Sequence, residues 1–334
     1  MPKKVLITDY VWPSVEPERA VLAQGGVKLV VAPDGNEETL IRLAKDVDGI
    51  LTCFSKVTDK VVRAAGKCVA ISRYGVGVDN IAVDTATELG IIVTYVPDYC
   101  IDEVSDHVMA LLLAWNRRVV LFDRATKTNG WGSEGLGMRI MRLRGKKLGI
   151  VGFGRIGRTV CSKALAFGLE VLAFDPFLPT NDISQHGARM VELSELLNTA
   201  DFITLHSPLT PETTSMMGEA ELRQMKTEAF LINAARGPLI DENALYNALT
   251  SGQIAGAGLD VLVDLNPPQN HRLIQLPNVI ITPHTAFFSQ EAVLELEKRA
   301  ANELVRVFQG QMPDNLVNSA VLTHSRIKLT GKSR

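Results

Sequence analysis

Cysteine is scarce in this chain of 334 residues, with four in all at Cys53, Cys68, Cys100 and Cys161. No two form a C-x-x-C pair, so neither a zinc site nor a disulfide framework organises the fold, and no metal is expected. Reduced thiols in a cytoplasmic protein are the expectation. Long apolar runs are also missing. None approaches the roughly 20 residues of a membrane helix, and the Met1–Asp9 start is too short in apolar residues for a signal peptide. Neither charge sign dominates: the net charge is −2 and the pI near 6.3, which argues against a general nucleic-acid binder. Only the end is locally basic, with His324, Arg326, Lys328, Lys332 and Arg334, and it is expected to be a frayed, solvated terminus. With 24 residues after Gly310, no C-terminal regulatory domain is expected. Short-period repeats and low-complexity segments are absent as well.

What remains is ordinary globular material, 46% hydrophobic and 22% charged, long enough to favour two domains. Short β-rich runs alternate with helical segments from the start. Strands are expected at 5–8, 27–32, 49–52, 69–72 and 91–94, with a helix near 59–65. This pattern reads as parallel α/β structure. From Asp98 to Phe122 there is no internal proline or glycine, and the apolar residues predict one long buried helix. Residues 128–137 read as a glycine-rich loop holding Trp131. A second α/β block follows, with strands at 147–151, 171–175, 202–205, 230–233, 256–260 and 279–282. Helices are expected at 155–167, 218–226 and 242–251. A long helix over 289–309 returns the chain to the first block, which makes the first domain discontinuous.

The second block opens on Val151-Gly152-Phe153-Gly154-Arg155-Ile156-Gly157, between a strand and a helix. In such a turn the first glycine permits the bend, the second lets backbone approach a pyrophosphate, and the third lets helix and strand pack closely. Unpaired N–H groups at the helix start attract phosphate. Asp175 ends the next strand, where a carboxylate accepts from ribose hydroxyls and repels a 2′-phosphate. Strand, turn, helix and acid together predict a dinucleotide site for NAD rather than NADP.

Three further stretches end apolar strands and share one sheet edge if the strands are parallel. Arg236, in Asn233-Ala234-Ala235-Arg236-Gly237, can grip a carboxylate with two parallel bonds or pair with a surface acid. Asp260 can hold a nicotinamide amide or cap the segment that follows. His284, in Thr282-Pro283-His284-Thr285-Ala286, is a general acid–base candidate or a structural histidine. His206 competes with it, but its place before a proline turn suits the shaping of a cofactor loop.

Taken together these motifs resemble the NAD-dependent D-isomer-specific 2-hydroxyacid dehydrogenases, a family that includes phosphoglycerate, glycerate and D-lactate dehydrogenases and the C-terminal-binding-protein corepressors. The resemblance runs from Arg73-Tyr74-Gly75-Val76-Gly77-Val78-Asp79-Asn80-Ile81 to Asn315-Leu316-Val317-Asn318 and takes in the glycine turn, His206 to Thr213, Asn233 to Gly237, Gly258-Leu259-Asp260 and Pro277 to His284. It implies two Rossmann-like or flavodoxin-like parallel-sheet domains. Residues 1–99 with 288–334 would form the substrate domain and 100–287 the NAD-binding domain. It implies that Gly75, Val76, Gly77 and Arg236 hold the carboxylate of a small 2-keto or 2-hydroxy acid, and that His284 exchanges a proton with the substrate oxygen. Gly152, Gly154, Arg155, Ile156, Gly157, Asp175, His206, Ser207, Pro208, Thr213, Ala234, Ala235, Asp260 and Ala286 would line NAD. A homodimer through the cofactor domain is implied as well.

One position departs from the family pattern. A glutamate normally follows the Asp260-type strand and keeps the histidine protonated. Counting forward from Asp260 gives Leu265; counting back from the following proline gives Asn266. Asp264 is a substitute if the loop turns it inward. The leading expectation is therefore a dehydrogenase with a weakened acid–base pair. The alternative is an NAD(H)-sensing binding protein of corepressor type, and a third is hydride transfer from formate or phosphite.

Overall fold

The structure, a computed structural model, describes residues 2–132 and 140–331. It divides into two compact units, Met1–Tyr99 with Ser289–Arg334, and Cys100–Phe288.

The first unit runs β1 (Lys4–Ile7), α1 (Glu16–Gln24), β2 (Lys28–Val31), α2 (Glu37–Ala44), β3 (Gly49–Thr52), α3 (Asp59–Ala64), β4 (Ala70–Arg73), α4 (Val83–Glu88) and β5 (Ile92–Thr94). Its five strands are parallel in the order β2-β1-β3-β4-β5, a flavodoxin-like order. β3 and β4 are buried along their whole length, as central strands of a parallel sheet should be. At the switch point between β1 and β3, Asp9 accepts the backbone N–H groups of Cys53, Phe54 and Ser55 at 3.1, 2.7 and 3.1 Å. That carboxylate fixes the loop after β3.

The second unit opens on α5 (Ile101–Asn116) and α6 (Val119–Asn129). There follow β6 (Lys147–Val151), α7 (Arg155–Ala166), β7 (Glu170–Phe174), α8 (Thr180–Ser184), β8 (Arg189–Met190), α9 (Leu193–Thr199), β9 (Phe202–Leu205), α10 (Glu219–Gln224), β10 (Phe230–Asn233), α11 (Glu242–Thr250), β11 (Gly256–Leu259) and β12 (Val279–Ile281). Its seven strands are all parallel, in the order β12-β11-β10-β9-β6-β7-β8. The order reverses between β6 and β9, so the crevice of this doubly wound sheet opens at their carboxyl ends. The chain then returns to the first unit in α12 (Gln290–Phe308), which packs on α1 and β4. The Ser289 hydroxyl caps it, accepting Ala292 N–H at 2.9 Å.

One helix was expected over 98–122, and two are present. Arg118 adopts a left-handed backbone, φ 56°, and breaks the run. Its guanidinium lies 3.8 Å above the Trp115 ring, and Asn116 Nδ2 donates to Met141 O at 2.9 Å. The helix thus ends with no glycine or proline to announce it. Trp115 in turn stacks on Phe230 at 4.6 Å, over Gly256, where a side chain would collide with the indole.

The C-terminal segment also departs from expectation. Rather than fraying, it docks on the first unit. Arg326 Nη1 donates to Ala65 O and Cys68 O at 2.9 and 2.7 Å, and Thr330 N–H donates to Gly310 O at 2.8 Å. Lys332 and Arg334 lie outside the described residues, as do residues 133–137 of the expected glycine-rich loop. The start of that loop is the end of α6, and Trp131 beyond it is exposed.

Inside the first unit α1 and α12 bring two carboxylates together. Glu18 and Glu297 are 0% and 4% exposed, and the Tyr74 hydroxyl donates to Glu18 Oε1 at 2.9 Å. Burial, then the charge of Glu18, pushes Glu297 up to about 8 from an ordinary 4.5, and burial raises Glu18 too. A carboxyl raised on folding stabilises below its unfolded pKa and loses that contribution as pH rises through its folded value. The melting temperature should therefore fall between pH 5 and pH 8.5. Glu297→Gln should flatten that fall, at about 2–4 °C per kcal/mol. Parallel thermal-melt profiles for the two proteins would count against Glu297 as the titrating group.

Candidate functional site

The sequence-predicted residues of the second unit gather at the carboxyl ends of adjacent parallel strands. The glycine turn follows β6, Asp175 follows β7, and His206 to Thr213 follow β9. Ala234 to Gly237, Asp260 and Thr282 to Ala286 follow β10, β11 and β12.

Each glycine of the turn has a different job. Gly152 has φ 90°, and a Cβ there would meet His206 C and Ser207 N at 2.7 Å, closing β6 against the loop after β9. At Gly154 a Cβ would meet nothing within 4 Å, so the space over the helix start is open. At Gly157 it would strike Gly152 O, so helix and strand touch there. Gly154 caps α7 with no side-chain acceptor and no acid in the first turn. Those N–H groups face an open space suited to a pyrophosphate. Asp175 sits beside them: Oδ2 accepts Phe153 N–H at 2.8 Å and Oδ1 accepts Phe177 N–H at 3.0 Å. Each oxygen keeps a second lone pair for a ribose hydroxyl. The residues therefore fit a dinucleotide, and the carboxylate disfavours one with a 2′-phosphate.

After β9 the chain turns tightly. Thr213 Oγ1 donates to Pro208 O at 2.7 Å and accepts Thr210 N–H at 2.8 Å. His206 bonds Thr204 Oγ1 through Nε2 at 3.0 Å, and burial pushes its imidazole down to about 4. A neutral ring tied into its own strand is a loop-shaping residue, not a proton donor near neutral pH.

The turn after β10 is built by Asn233. Its Oδ1 accepts Ala235 N–H at 3.0 Å and its Nδ2 donates to Arg236 O at 2.8 Å. Gly237 is pressed on the next loop, where a Cβ would collide with the Leu262 carbonyl. Asn233 therefore holds the Arg236 backbone, and Gly237 sets it beside the loop after β11.

Asp260 makes the bonds of a cap. Its side chain is fully buried. Oδ1 accepts Thr285 N–H at 2.9 Å and the Thr282 hydroxyl at 2.5 Å, and Oδ2 accepts Ala286 N–H at 2.9 Å. Charge-assisted bonds of this kind hold a turn firmly. The held residue is His284, at φ 53°, with its N–H on Asp260 O at 2.8 Å. A left-handed non-glycine residue in a candidate site marks an imposed geometry. Ala286, whose N–H Asp260 takes, is buried beside it.

A cavity of about 170 Å³ lies against His284. Val261, Leu262, Leu265, Ile274 and Ile281 give it an apolar wall, and Asp264 is there as well. Leu265 thus faces the histidine's cavity, whereas Asn266 donates its N–H to Asp264 Oδ1 at 2.9 Å and is not part of the lining. Glu242 secures the loop from behind, accepting Val263 N–H at 2.8 Å. Glu242 and His107, whose Nε2 is 2.9 Å from Thr282 Oγ1, were not legible as site residues, because each sits on a helix with no motif around it.

In the first unit, Gly75 has φ 137° with Arg73 Nη1 2.6 Å from where its Cβ would be. Val76 is exposed and Gly77 half-buried. No group of three or more metal-binding side chains occurs among the described residues, and no helix there is long and apolar enough to cross a membrane.

Comparison with known proteins agrees with this geometry. The family model for the D-isomer specific 2-hydroxyacid dehydrogenase NAD binding domain matches residues 109–286. Glyoxylate reductase of Thermococcus litoralis is 40% identical over 292 residues, covering 86% of this chain and 88% of that protein. D-3-phosphoglycerate dehydrogenase of Methanocaldococcus jannaschii is 39% identical over 317 residues, 94% of this chain. The chain spans 59% of that relative's length. Among solved structures, D-lactate dehydrogenase from Aquifex aeolicus, complexed with NAD and lactic acid, has a TM-score of 0.86 at 27% identity, covering 95% of this chain and 99% of that one.

Proposed function

The chain belongs to the D-isomer-specific 2-hydroxyacid dehydrogenase family, and from that premise we propose that it interconverts a small 2-keto acid and its D-2-hydroxy acid with NAD(H). The observation that carries this reading is His284. It is held in a left-handed turn by Asp260 and lines a cavity at the sheet edge that the glycine turn shares. NADH, held by the glycine turn and Asp175, would provide the hydride for the carbonyl carbon. His284 gives the carbonyl oxygen its proton, and Arg236 binds the carboxylate and steadies the developing alkoxide. Gly75, Val76 and Gly77 are assigned to the same carboxylate on the family resemblance. The names of the relatives support a reductase or dehydrogenase, and none of those described is a corepressor.

The test is NADH oxidation over glyoxylate, hydroxypyruvate, pyruvate and phosphonopyruvate. Turnover of at least one is expected. Tight NADH binding with no turnover of any would favour an NAD(H)-sensing binding protein instead.

Leu265 and Asp264 both line the cavity against His284. A carboxylate in place of Leu265 would add a charge that favours an imidazolium. Leu265→Glu should carry the alkaline limb of kcat upward by about one pH unit, because an adjacent carboxylate favours the imidazolium. A wild-type rate sustained well above neutral pH, or a limb that Leu265→Glu leaves in place, would argue against Leu265 as the vacated position.

A homodimer through the cofactor domain is part of the proposal. α6 buries none of its residues, and Val119, Val120 and Leu121 are 57%, 43% and 40% exposed. Exposed apolar residues at the start of a helix suit burial against a second copy of the chain. Sedimentation should give a dimer mass for the wild type and a monomer for Val120→Lys/Leu121→Lys. An unchanged mass in that variant would move the interface elsewhere. Four buried free cysteines support a reducing compartment, the cytoplasm.

A further inference from the structure

The turn that carries His284 is bonded beyond its own loop. Thr282 Oγ1 lies 2.5 Å from Asp260 Oδ1 and 2.9 Å from His107 Nε2, and His107 Nε2 is 3.6 Å from the same Asp260 oxygen. The protons can be assigned from the chemistry of the groups. An ionised carboxylate only accepts, so the single hydroxyl proton of Thr282 goes to Asp260. The hydroxyl then has only lone pairs to offer His107, and Nε2 must carry the proton. His107 thus donates to Thr282, Thr282 donates to Asp260, and Asp260 receives the N–H groups of Thr285 and Ala286. Asp260 O takes the N–H of His284 between them.

We propose that His107, reaching from α5, is a positioning residue that orients the His284 turn through Thr282 and Asp260. It touches no reacting atom. Its ring is 21% exposed, whereas the Asp260 side chain it faces is fully buried. A buried carboxylate holds one geometry only when every donor around it is fixed. Thr282 alone could rotate its hydroxyl; the His107 donor removes that freedom. The backbone that carries His284 is oriented by this network.

The proposal rests on the dehydrogenase reading for its kinetic readout, so a second readout is independent of turnover. In the wild-type protein, nitrogen-15 NMR of the His107 ring should show a proton on Nε2. A proton on Nδ1 alone would overturn the proposal, whether or not any keto acid is reduced. The kinetic arm compares His107→Phe, His107→Gln, Thr282→Val and the His107→Phe/Thr282→Val pair in folded, NADH-binding protein. His107→Phe should lower kcat about tenfold and leave the Kd for NADH within about twofold. His107→Gln, which keeps an N–H donor, should recover most of the rate. The double variant should be no slower than the worse single one, as expected of residues acting through one chain of bonds. An unchanged kcat in His107→Phe, no recovery in His107→Gln, or losses that multiply in the double variant would each overturn it. If His107→Phe does not fold, Thr282→Val and the tautomer measurement decide the matter. Wild-type protein that binds NADH yet reduces no keto acid would fail the dehydrogenase reading and leave the tautomer test standing.

Discussion

Replacing His284 by asparagine should lower kcat for keto-acid reduction by about 10²–10⁴-fold, the range of a lost general acid, with NADH affinity near that of the wild type. Asparagine is the right replacement because of the backbone. His284 has φ 53°, and asparagine is among the few non-glycine residues that tolerate this region. Its side chain offers hydrogen bonds but no proton near neutral pH. The bonds from Asp260 to Thr285, Ala286 and the His284 N–H all involve backbone on the histidine side, so they survive the change. An alanine variant would confuse loss of the imidazole with relaxation of a strained turn. Melting temperature and NADH Kd report whether the turn is intact, and steady-state kcat reports the chemistry. A kcat within threefold of the wild type in folded, NADH-binding His284→Asn protein would mean that another group supplies the proton. His206 would be a poor replacement, since burial holds its pKa near 4 and its Nε2 is bonded to Thr204.

The expected size of that loss also bears on Leu265. A histidine beside leucine rather than glutamate is a weaker base but still a competent acid below its own pKa. The departure at Leu265 should therefore narrow the pH range of reduction more than it lowers the maximal rate. The His284 and Leu265 variants act on one proton, the first by removing its carrier and the second by changing the pH at which the carrier holds it.

How far the sequence reached depends on how local each signal was. Every strand expected in both blocks is present to within a residue or two, because a parallel sheet covered on both faces writes its strands as continuous apolar runs. Gly152, Gly154 and Gly157 were legible for the same reason: turn, strand and helix are neighbours in the chain. The break at Arg118 was not, since it depends on stacking over Trp115 and on the Asn116 bond to Met141 rather than on a breaker residue. Asp260 was evenly divided between holding a ligand and capping a turn. The capping bonds show only in space, because Thr282, Thr285 and Ala286 are all more than twenty residues on. His107 and the Glu18–Glu297 pair left no trace in the sequence, because each gains its role from a partner distant in the chain. The basic tail misled for the opposite reason. Arg326 looks like a solvated charge until its guanidinium meets the carbonyls of Ala65 and Cys68.

The glycine turn permits a second test of large effect, in which stability and cofactor binding should move in opposite directions. Gly154 is the N-cap of α7, with φ −71° and ψ −159°, a conformation open to any residue. A Cβ there meets nothing within 4 Å. Gly154→Asp should therefore fold as well as the wild type or slightly better, because aspartate accepts the N–H groups of the first turn and suits the helix dipole. Those are the groups a pyrophosphate would use, and the new carboxylate repels it. NADH affinity should fall by at least about 100-fold, near 2.7 kcal/mol. Gly157→Ala should instead cost stability. Its methyl would collide with Gly152 O, so helix and strand must separate, at about 1–3 kcal/mol of stability. Thermal melts and fluorescence titration with NADH measure the two quantities side by side. Tight NADH binding by the Gly154→Asp protein would mean that the dinucleotide does not lie over the start of α7. A Gly154→Asp melting temperature well below that of the wild type would mean that the space above the helix is filled by the protein's own chain.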